Sequence, residues 1–505
     1  MRVRHIARNV LFNWIGTVAN LAVGFFLSPF ILHRLGDIAY GVWVLAVSTV
    51  AYLSLLDLGM QSSVLRFVSK GHTQGDHESA SAALSAALWV RLRISGLVLL
   101  LSFSLAALFP TLFKIPGSLA ADARIAVITI GFTMALSMSV GVASGVLSGL
   151  NRYDLQNYVT LLQTAIRVTG VVLLLRSGHG IVAIALCELF ATCVGLVLLI
   201  ILARRLYPQL TLSFRRPRRE TLRMVWSYSA YAFLTTVAVQ LVYQSDNLVV
   251  GAFVSASAVT FYAIANSLCR YATQIVGSIA GTFVPAASTY EAAGDTEALV
   301  NLYIYGTRAT LVISLPILAT FLLRGHRFIQ LWMGPEYAGS SGDILILLTV
   351  PLLFAYANRT ASSIAYGVEK HKLTAIWAII EGVANLILSI TLVHFYGLYG
   401  VALGTLIPSV IVHLGFWPWY TSKLVNIGIS EVIWRVWGPI FLAIIPFALI
   451  SYAFERALPP HHMATFFLQV LATLPVFFLT LAIFFRNYIR GPLYDKCRGL
   501  LARAQ

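Results

Sequence analysis

Charged residues are scarce in this sequence, and apolar residues are abundant. Only 11% of the 505 residues are charged, whereas 59% are hydrophobic. Soluble globular domains have about 25% charged and about 45–50% apolar residues. The shortage of charge therefore excludes a soluble protein and predicts an all-α, polytopic membrane protein.

Signatures of catalysis and ligand binding are missing as well. The sequence has no G-x-x-x-x-G-K-[ST] phosphate-binding loop, no H-E-x-x-H pair and no paired-cysteine metal motif. The outside loops predicted near residues 113–124 and 324–343 are too short for an active-site domain. The sequence therefore predicts a non-enzyme with no cofactor and no metal. Four cysteines, which lack metal-ligand spacing, are expected to be free thiols: Cys187, Cys193, Cys269 and Cys497.

Long apolar runs dominate what is present. A helix needs about 20 predominantly apolar residues to cross a bilayer. Fourteen runs meet this requirement, and they predict fourteen transmembrane helices. The runs are Asn9–Leu32, Tyr40–Leu56, Ile94–Leu112, Ile125–Leu147, Val159–Leu175, Ile181–Leu202, Met224–Phe253, Ala256–Ala286, Tyr303–Leu323, Ile344–Ala365, Leu373–His394, Gly397–Tyr420, Trp437–Phe454 and Met463–Phe485.

Basic residues indicate the orientation of these helices. The 35 lysine and arginine residues are concentrated in alternate connections, most densely in "ARRLYPQLTLSFRRPRRE" between the sixth and seventh runs. Cytoplasmic loops carry such an excess of positive charge. We therefore expect both termini in the cytoplasm. The net charge of +16 lies in short loops and the tail, so it indicates topology and not a nucleic-acid partner.

Two stretches of the chain resemble each other. "LSGLNRYDLQNYVTLLQTAIRVTGVVLLL" begins at Leu147, and "AYGVEKHKLTAIWAIIEGVANLILSITLV" begins at Ala365. Repeats of six spans each have the same orientation and are related by an axis along the membrane normal. The predicted domains are a six-helix bundle at 1–210, a basic cytoplasmic linker at 211–223, a second six-helix bundle at 224–425, and helices 13 and 14 with a basic tail at 426–505.

One carboxylate, Asp246, lies within the apolar stretch "LVYQSDNLVVG". At about 100° per residue, it shares an arc of the helix with four other polar residues: Gln240, Tyr243, Gln244 and Asn247. Unsatisfied polar groups cost several kcal/mol each against lipid. This face is therefore predicted to line the bundle interior or a water-filled cavity.

Three arginines also fall within predicted spans: Arg167, Arg270 and Arg359. Asn266, Arg270 and Gln274 follow one another at i, i+4 and i+8 on one helix stripe. One interpretation is internal salt bridges, with Glu188 and Glu381 as further partners. The other is an anion-binding cavity, because guanidinium groups match phosphate oxygens two at a time. Asp246 would then restrain an arginine or carry a coupling H⁺ or Na⁺.

Several short patterns resemble the polysaccharide (O-antigen/exopolysaccharide) flippases of the multidrug/oligosaccharidyl-lipid/polysaccharide exporter superfamily. They are Leu35-Gly36, Tyr40-Gly41, Asp57-Leu58-Gly59 and Asp246-Asn247. The resemblance implies two bundles working by alternating access in the bacterial inner membrane. It also implies a substrate, an undecaprenyl-diphosphate-linked oligosaccharide, which is moved to the outer leaflet for O-antigen, capsule or exopolysaccharide synthesis. Cavity arginines would engage its diphosphate or acidic sugars.

The same resemblance leaves alternatives and implies partners. A cation-coupled drug or small-molecule antiporter of the superfamily is the second interpretation, and a membrane glycan polymerase or ligase is the third. Membrane lipids, a polysaccharide polymerase and a chain-length regulator are the implied partners. Lipid II flippases carry cations in the first span, whereas here that span offers only Asn13 and Asn20 before His33 and Arg34. This departure disfavours lipid II as the substrate.

Overall fold

The structure, a computed structural model, describes residues 2–57, 60–211, 237, 240 and 244–484. These residues form helices joined by short connections, and no strand occurs among them. The predicted all-α class is therefore confirmed. The three cysteines within the described ranges, Cys187, Cys193 and Cys269, are free thiols.

The first half of the chain contains eight helices in the described ranges. The first helix, α1, is followed by a 3₁₀ turn at Tyr52–Asp57. Helix α7 is described at 237, 240 and 244–253. The others have the following bounds: α1 Arg2–Ala51, α2 Met60–Gln74, α3 His77–Leu112, α4 Gly117–Gly149, α5 Tyr153–Arg176, α6 Ile181–Leu206 and α8 Ala256–Ala280.

The second half continues with α9 to α16. The π-helical turns Val412–Phe416 and Glu431–Trp437 precede α14 and α15. The helices have the following bounds: α9 Phe283–Ala292, α10 Thr296–Trp332, α11 Pro335–Ala357, α12 Arg359–Gly367, α13 Lys372–Ile411, α14 Trp417–Val425, α15 Gly438–Ala457 and α16 Met463–Phe484.

Ten continuous helical stretches of the described residues are long and apolar enough to cross a membrane. Two of them, Gly16–Leu56 and Lys372–Val425, each contain two of the predicted spans. Between those spans the backbone leaves helical geometry at one residue and kinks, at Gly36 (φ +77°) and Gly397 (φ +54°). Glycine permits these left-handed conformations because it lacks a Cβ atom. Helix α8 is not among the ten.

Several helices are longer than the apolar runs in them. Helix α3 has 36 residues and α10 has 37, which correspond to about 54–56 Å at 1.5 Å per residue. The hydrocarbon core is about 30 Å thick, so both helices extend beyond it. The outside connection predicted at 324–343 is mostly helical, because α10 continues to Trp332 and α11 begins at Pro335.

The chain divides into two compact units. Unit 1 comprises residues 1–263 and 378–401, and unit 2 comprises 264–377 and 402–505. In unit 1, small and β-branched residues of α2, α3 and α4 form a buried core around Tyr207. In unit 2, a larger core joins α10, α12 and α15 around Tyr303, Trp437 and Phe447. The bundle boundaries expected at 210 and 425 remain predictions.

Helix α1 packs closely against the beginning of α8 within unit 1. A Cβ atom at Gly41 would lie 1.8 Å from the carbonyl oxygen of Ala256. The Asp37 carboxylate accepts a hydrogen bond from Ser257 at 2.5 Å, and the Asp37 carbonyl accepts one from Thr260 at 2.6 Å. The absence of a side chain at Gly41 is what allows this approach.

Helices α15 and α16 are joined to α10 within unit 2 by a charged cluster. The fully buried Arg324 side chain donates to Glu455 at 2.8 Å and to Gln469 at 2.5 Å. Its guanidinium lies 4.5 Å from the centre of the Phe466 ring. Arg327 donates to the same Glu455 at 3.2 Å. The two last helices are therefore held to α10 by ionic as well as apolar contacts.

Candidate functional site

The carboxylate predicted to face the interior does so. Asp246 is 5% exposed, and its Oδ2 accepts a hydrogen bond from the hydroxyl of Tyr262 at 2.6 Å. Tyr262 itself is fully buried in α8. The two side chains lie in unit 1 and connect α7 to α8. This position excludes lipid from the carboxylate, as the sequence predicts.

Neighbours of Asp246 on α7 are also held by polar contacts. The Asn247 amide donates to the Ser48 hydroxyl of α1 at 3.1 Å, and both residues are buried. About two turns before Asn247 on α7, Gln240 donates to Ser54 at 2.6 Å and to the carbonyl of Ala51 at 3.1 Å. Thus α7 contacts α1 and the 3₁₀ turn through the predicted polar face.

Other residues of α7 are also buried or partly buried. Ser245, which the helical arc places on the apolar side, is 2% exposed and donates to Asn385 of α13 at 3.3 Å. The apolar side is therefore buried inside unit 1 too, because a second helix covers it. Gln244 is partly buried. Tyr243 lies outside the described residues, as do residues 212–236 and 485–505.

In unit 2, α8 has a stripe of polar residues on one side and a stripe of buried residues on the other. Leu268, Cys269, Ala272, Val276 and Ala280 are buried. On the other side, Arg270 and Gln274 are exposed and Asn266 is partly buried. These polar residues explain why α8 is not apolar enough to count among the ten membrane-crossing stretches. The predicted grouping of the three residues on one stripe matches their pattern of exposure.

Arg359 joins this stripe from another helix. It is not inside the span predicted at 344–365, because α11 ends at Ala357 and Arg359 is the first residue of α12. Its Nη2 lies 3.5 Å from the place that a Cβ of Gly277 would occupy. Gly277 follows Arg270 by two helical turns, about 10 Å along the axis. The two arginines therefore lie along one face of α8.

Neither arginine is neutralised in the part of unit 2 that the structure describes. Both side chains are exposed, and no described carboxylate lies within ion-pair distance of Arg270 or Arg359. Facing lipid at the bilayer centre, an arginine would cost at least about 2.5–3.5 kcal/mol. Arg270, near the middle of α8, is therefore expected to face water or a ligand. We call Arg270, Gln274, Gly277 and Arg359 the arginine stripe.

The third predicted arginine is paired. Arg167 of α5 lies 3.3 Å from the Glu188 carboxylate of α6, with side chains 34% and 36% exposed. The salt-bridge interpretation is therefore confirmed for Glu188. The pair lies in a cavity of about 250 Å³ within unit 1. Glu381 is partly buried on α13 of unit 1. Sequence reasoning missed the cavity, because its threonines are unremarkable in an apolar run.

Oxygen-rich groups surround Asp246, which bears on the expected coupling ion. The described residues contain no group of three or more histidine, cysteine or acidic side chains that could hold a metal ion. One carboxylate with hydroxyl and amide neighbours is instead a donor set suited to a proton or to a hard monovalent cation.

Known proteins resemble this chain over most of its length. The family described as "Polysaccharide biosynthesis protein" matches residues 6–291. EpsK of Bacillus subtilis, called an uncharacterized membrane protein, is 26% identical over 434 residues, 83% of each chain. Agl15 of Haloferax volcanii, called a probable low-salt glycan biosynthesis flippase, is 21% identical over 443 residues, 87% of this chain and 88% of Agl15.

The fold is shared with a flippase of known structure. Lipid II flippase MurJ, in an inward closed conformation, superposes with a TM-score of 0.70 at 19% identity, over 95% of this chain and 100% of MurJ. The resemblance that the short patterns indicate is confirmed, and so is a multi-pass protein of the inner membrane. The family match covers more than half of the 505 residues, so this chain belongs to the polysaccharide biosynthesis protein family of membrane flippases and transporters.

Proposed function

We propose that this protein moves an undecaprenyl-diphosphate-linked oligosaccharide from the cytoplasmic to the outer leaflet of the bacterial inner membrane. The family match and the name of Agl15 support a glycan-linked substrate. The arginine stripe is the observation that carries the proposal. Crossing the apolar core with a diphosphate requires charged partners, because an isolated anion in a medium of low dielectric costs many kcal/mol.

Two guanidinium groups that pair with no described carboxylate lie along one helix face, and this arrangement suits an extended anion. Each guanidinium can donate two parallel hydrogen bonds to the oxygens of one phosphate. Arg270 and Arg359 could engage the two phosphates of a diphosphate, or one phosphate and an acidic sugar. The same stripe repels a cationic drug, and this disfavours the antiporter as the function.

Asp246 is proposed to serve the conformational cycle. Protonation or binding of Na⁺ would neutralise the Asp246 carboxylate. The Tyr262 hydroxyl donates to this carboxylate, and a neutralised carboxyl group is a weaker acceptor. Loading and release of one H⁺ or Na⁺ would therefore change the polar contacts of α7 with α8.

A gene deletion tests the proposal directly. Cells without the protein should accumulate undecaprenyl-diphosphate-linked oligosaccharide on the cytoplasmic side, and wild-type protein should reverse this. Arg270→Ala and Arg359→Ala should fail to reverse it at normal membrane levels. Arg176→Ala is the matched control, since Arg176 is an exposed arginine at the end of α5, far along the chain from the stripe.

The outcomes separate the possible functions. Failure of both stripe variants with a functional Arg176→Ala supports the stripe as the anion path. Normal transport by both stripe variants refutes the assignment of Arg270 and Arg359. If the deletion causes no accumulation and instead changes resistance to cationic drugs, the protein is an antiporter and the proposed function is wrong.

A further inference from the structure

The cavity in unit 1 has walls from four helices. It is bounded by α1, α4, α5 and α6 and has a volume of about 250 Å³. At roughly 30 Å³ per water, the space equals about eight water molecules, which is the scale of a single sugar ring. Eight of its ten lining residues are polar or charged, among them Thr192, Gln163, Arg167 and Glu188. We call it the threonine cavity.

Most of the hydroxyl protons in the threonine cavity are already used. Ser137 donates to the carbonyl of Thr133 at 2.8 Å, and Thr160 donates to that of Gln156 at 3.1 Å. Thr164 donates to the carbonyl of Thr160 and to Asn20. A hydroxyl whose proton is committed still has lone pairs that accept. These three groups therefore offer acceptors to a ligand that carries hydroxyl donors.

Two further groups have capacity to spare. Thr192 is only 7% exposed, yet its hydroxyl makes no hydrogen bond to any residue in the described ranges. Gln163 donates to the carbonyl of Ala191 at 3.3 Å, which leaves its Oε1 as an acceptor. On the cavity wall, the Thr192 hydroxyl can therefore donate to a ligand and the Gln163 oxygen can accept from one. The cavity is therefore built to hold a polar occupant.

The charge of the cavity separates it from the arginine stripe. Arg167 and Glu188 form an ion pair 3.3 Å long, so their charges cancel. A diphosphate placed there would meet the Glu188 carboxylate and be repelled. An uncharged ligand with several hydroxyl groups can instead donate to Glu188 and accept from Arg167 at the same time. The cavity favours a neutral polyhydroxyl group.

We propose that the threonine cavity binds one uncharged sugar residue of the transported glycan. This inference rests on the proposed function. The chemistry of recognition is a set of side-chain acceptors, Thr192 as a donor, and the Arg167–Glu188 pair as a combined donor and acceptor. Recognition of the sugar is thereby separated from recognition of the lipid diphosphate.

Two lipid probes distinguish the sites in binding measurements on the full-length protein in nanodiscs. The first is undecaprenyl diphosphate, and the second is the same lipid with the host oligosaccharide, extracted from the deletion strain. Wild-type protein should bind the second more tightly. Thr192→Val should reduce that preference about tenfold, the effect of about one buried hydrogen bond. Its affinity for undecaprenyl diphosphate should not change.

A second variant and a control keep the result interpretable. Thr192→Val removes a hydroxyl with no described protein partner, so the fold loses no hydrogen bond. Gln163→Met should act in the same direction. Thr391→Val, at an exposed threonine of α13 that bonds only within its own helix at 2.8 Å, should change neither affinity.

Each outcome has a separate meaning. A loss of preference for the glycan-bearing lipid alone supports the sugar site. An equal loss of affinity for both lipids, or no change in either variant, overturns the sugar site while leaving the proposed function intact. If wild-type protein binds neither lipid, the proposed function itself fails.

Discussion

Removal of the charge on Glu455 should strongly destabilise unit 2. Glu455 is the shared counter-ion of Arg324 and Arg327, and the Arg324 side chain has no exposed surface. Breaking a buried ion pair from one side costs about 3–5 kcal/mol, because the remaining charge stays buried without compensation. Glu455→Gln should therefore lower the equilibrium constant for folding by roughly a hundredfold or more.

Glu431→Gln provides the matched comparison. Glu431 pairs with Arg435 at 2.9 Å, but the two side chains are 45% and 61% exposed. An exposed pair of this spacing is worth about 0.3–0.5 kcal/mol. Unfolding in mixed dodecylmaltoside and SDS micelles, followed by tryptophan fluorescence, measures both variants. The double variant Arg324→Met with Glu455→Leu should recover much of the loss, because apolar residues can replace a buried pair.

Comparing the Glu455→Gln and Glu431→Gln variants shows whether the buried ion pair contributes more stability than the exposed one. If Glu455→Gln and Glu431→Gln shift the unfolding midpoint equally, the buried cluster does not stabilise the packing of α15 and α16 on α10. Failure of the double variant to recover stability would show that Arg324 and Glu455 contribute hydrogen bonds that apolar packing cannot replace.

Three further predictions concern unit 1. Gly41→Ala should abolish folded protein in size-exclusion chromatography, because its Cβ would lie 1.8 Å from the backbone oxygen of Ala256. Asp246→Asn should abolish transport in the deletion strain, whereas Tyr262→Phe, which removes one hydrogen bond to that carboxylate, should only slow it. Asp76 accepts a hydrogen bond from the backbone amide that begins α3, and this lowers its pKa. The stabilisation by this cap should therefore be complete above the ordinary aspartate pKa of about 4 and be lost as the pH falls through the lowered pKa.

Each of the three predictions for unit 1 has a result that would contradict it. A well-folded Gly41→Ala protein would show that α1 and α8 can separate at no cost. Equal transport by Asp246→Asn and wild type would exclude a role for the carboxylate. Hydrogen exchange of the first turn of α3 measures the cap: Asp76→Ala should speed exchange at neutral pH, and Asp76→Asn, which also caps, should speed it less.

The sequence was sufficient to locate Asp246 inside the protein. A carboxylate in a long apolar run has few stable positions, so its interior location follows from desolvation alone. The exposed stripe of Arg270 and Gln274 could also be predicted, because helical spacing fixes which residues share a face. By contrast, the sequence did not reveal that Ser245 is buried against Asn385, since an arc on one helix does not show that α13 covers its other side.

Contacts that depend on how far a helix extends could not be predicted from the sequence. Counting apolar runs ends a span where charge begins, so Arg324 was assigned to a loop although it lies buried inside α10. Gly36 was likewise placed in a connection between two runs, whereas Gly397 was taken as the first residue of a span. The threonine cavity could not be predicted, because the sequence does not show which helices pack around Thr192 or whether its hydroxyl has a partner.

Transport by purified protein in proteoliposomes is the most direct test of the flippase mechanism. Undecaprenyl-diphosphate-linked oligosaccharide from the deletion strain is placed in the outer leaflet, and its loss of accessibility to an external glycosidase is measured with time. Wild-type protein should make the lipid inaccessible, and the double variant Arg270→Ala with Arg359→Ala should not. Equal rates for the wild type and the double variant would contradict the assignment of the arginine stripe as the anion path.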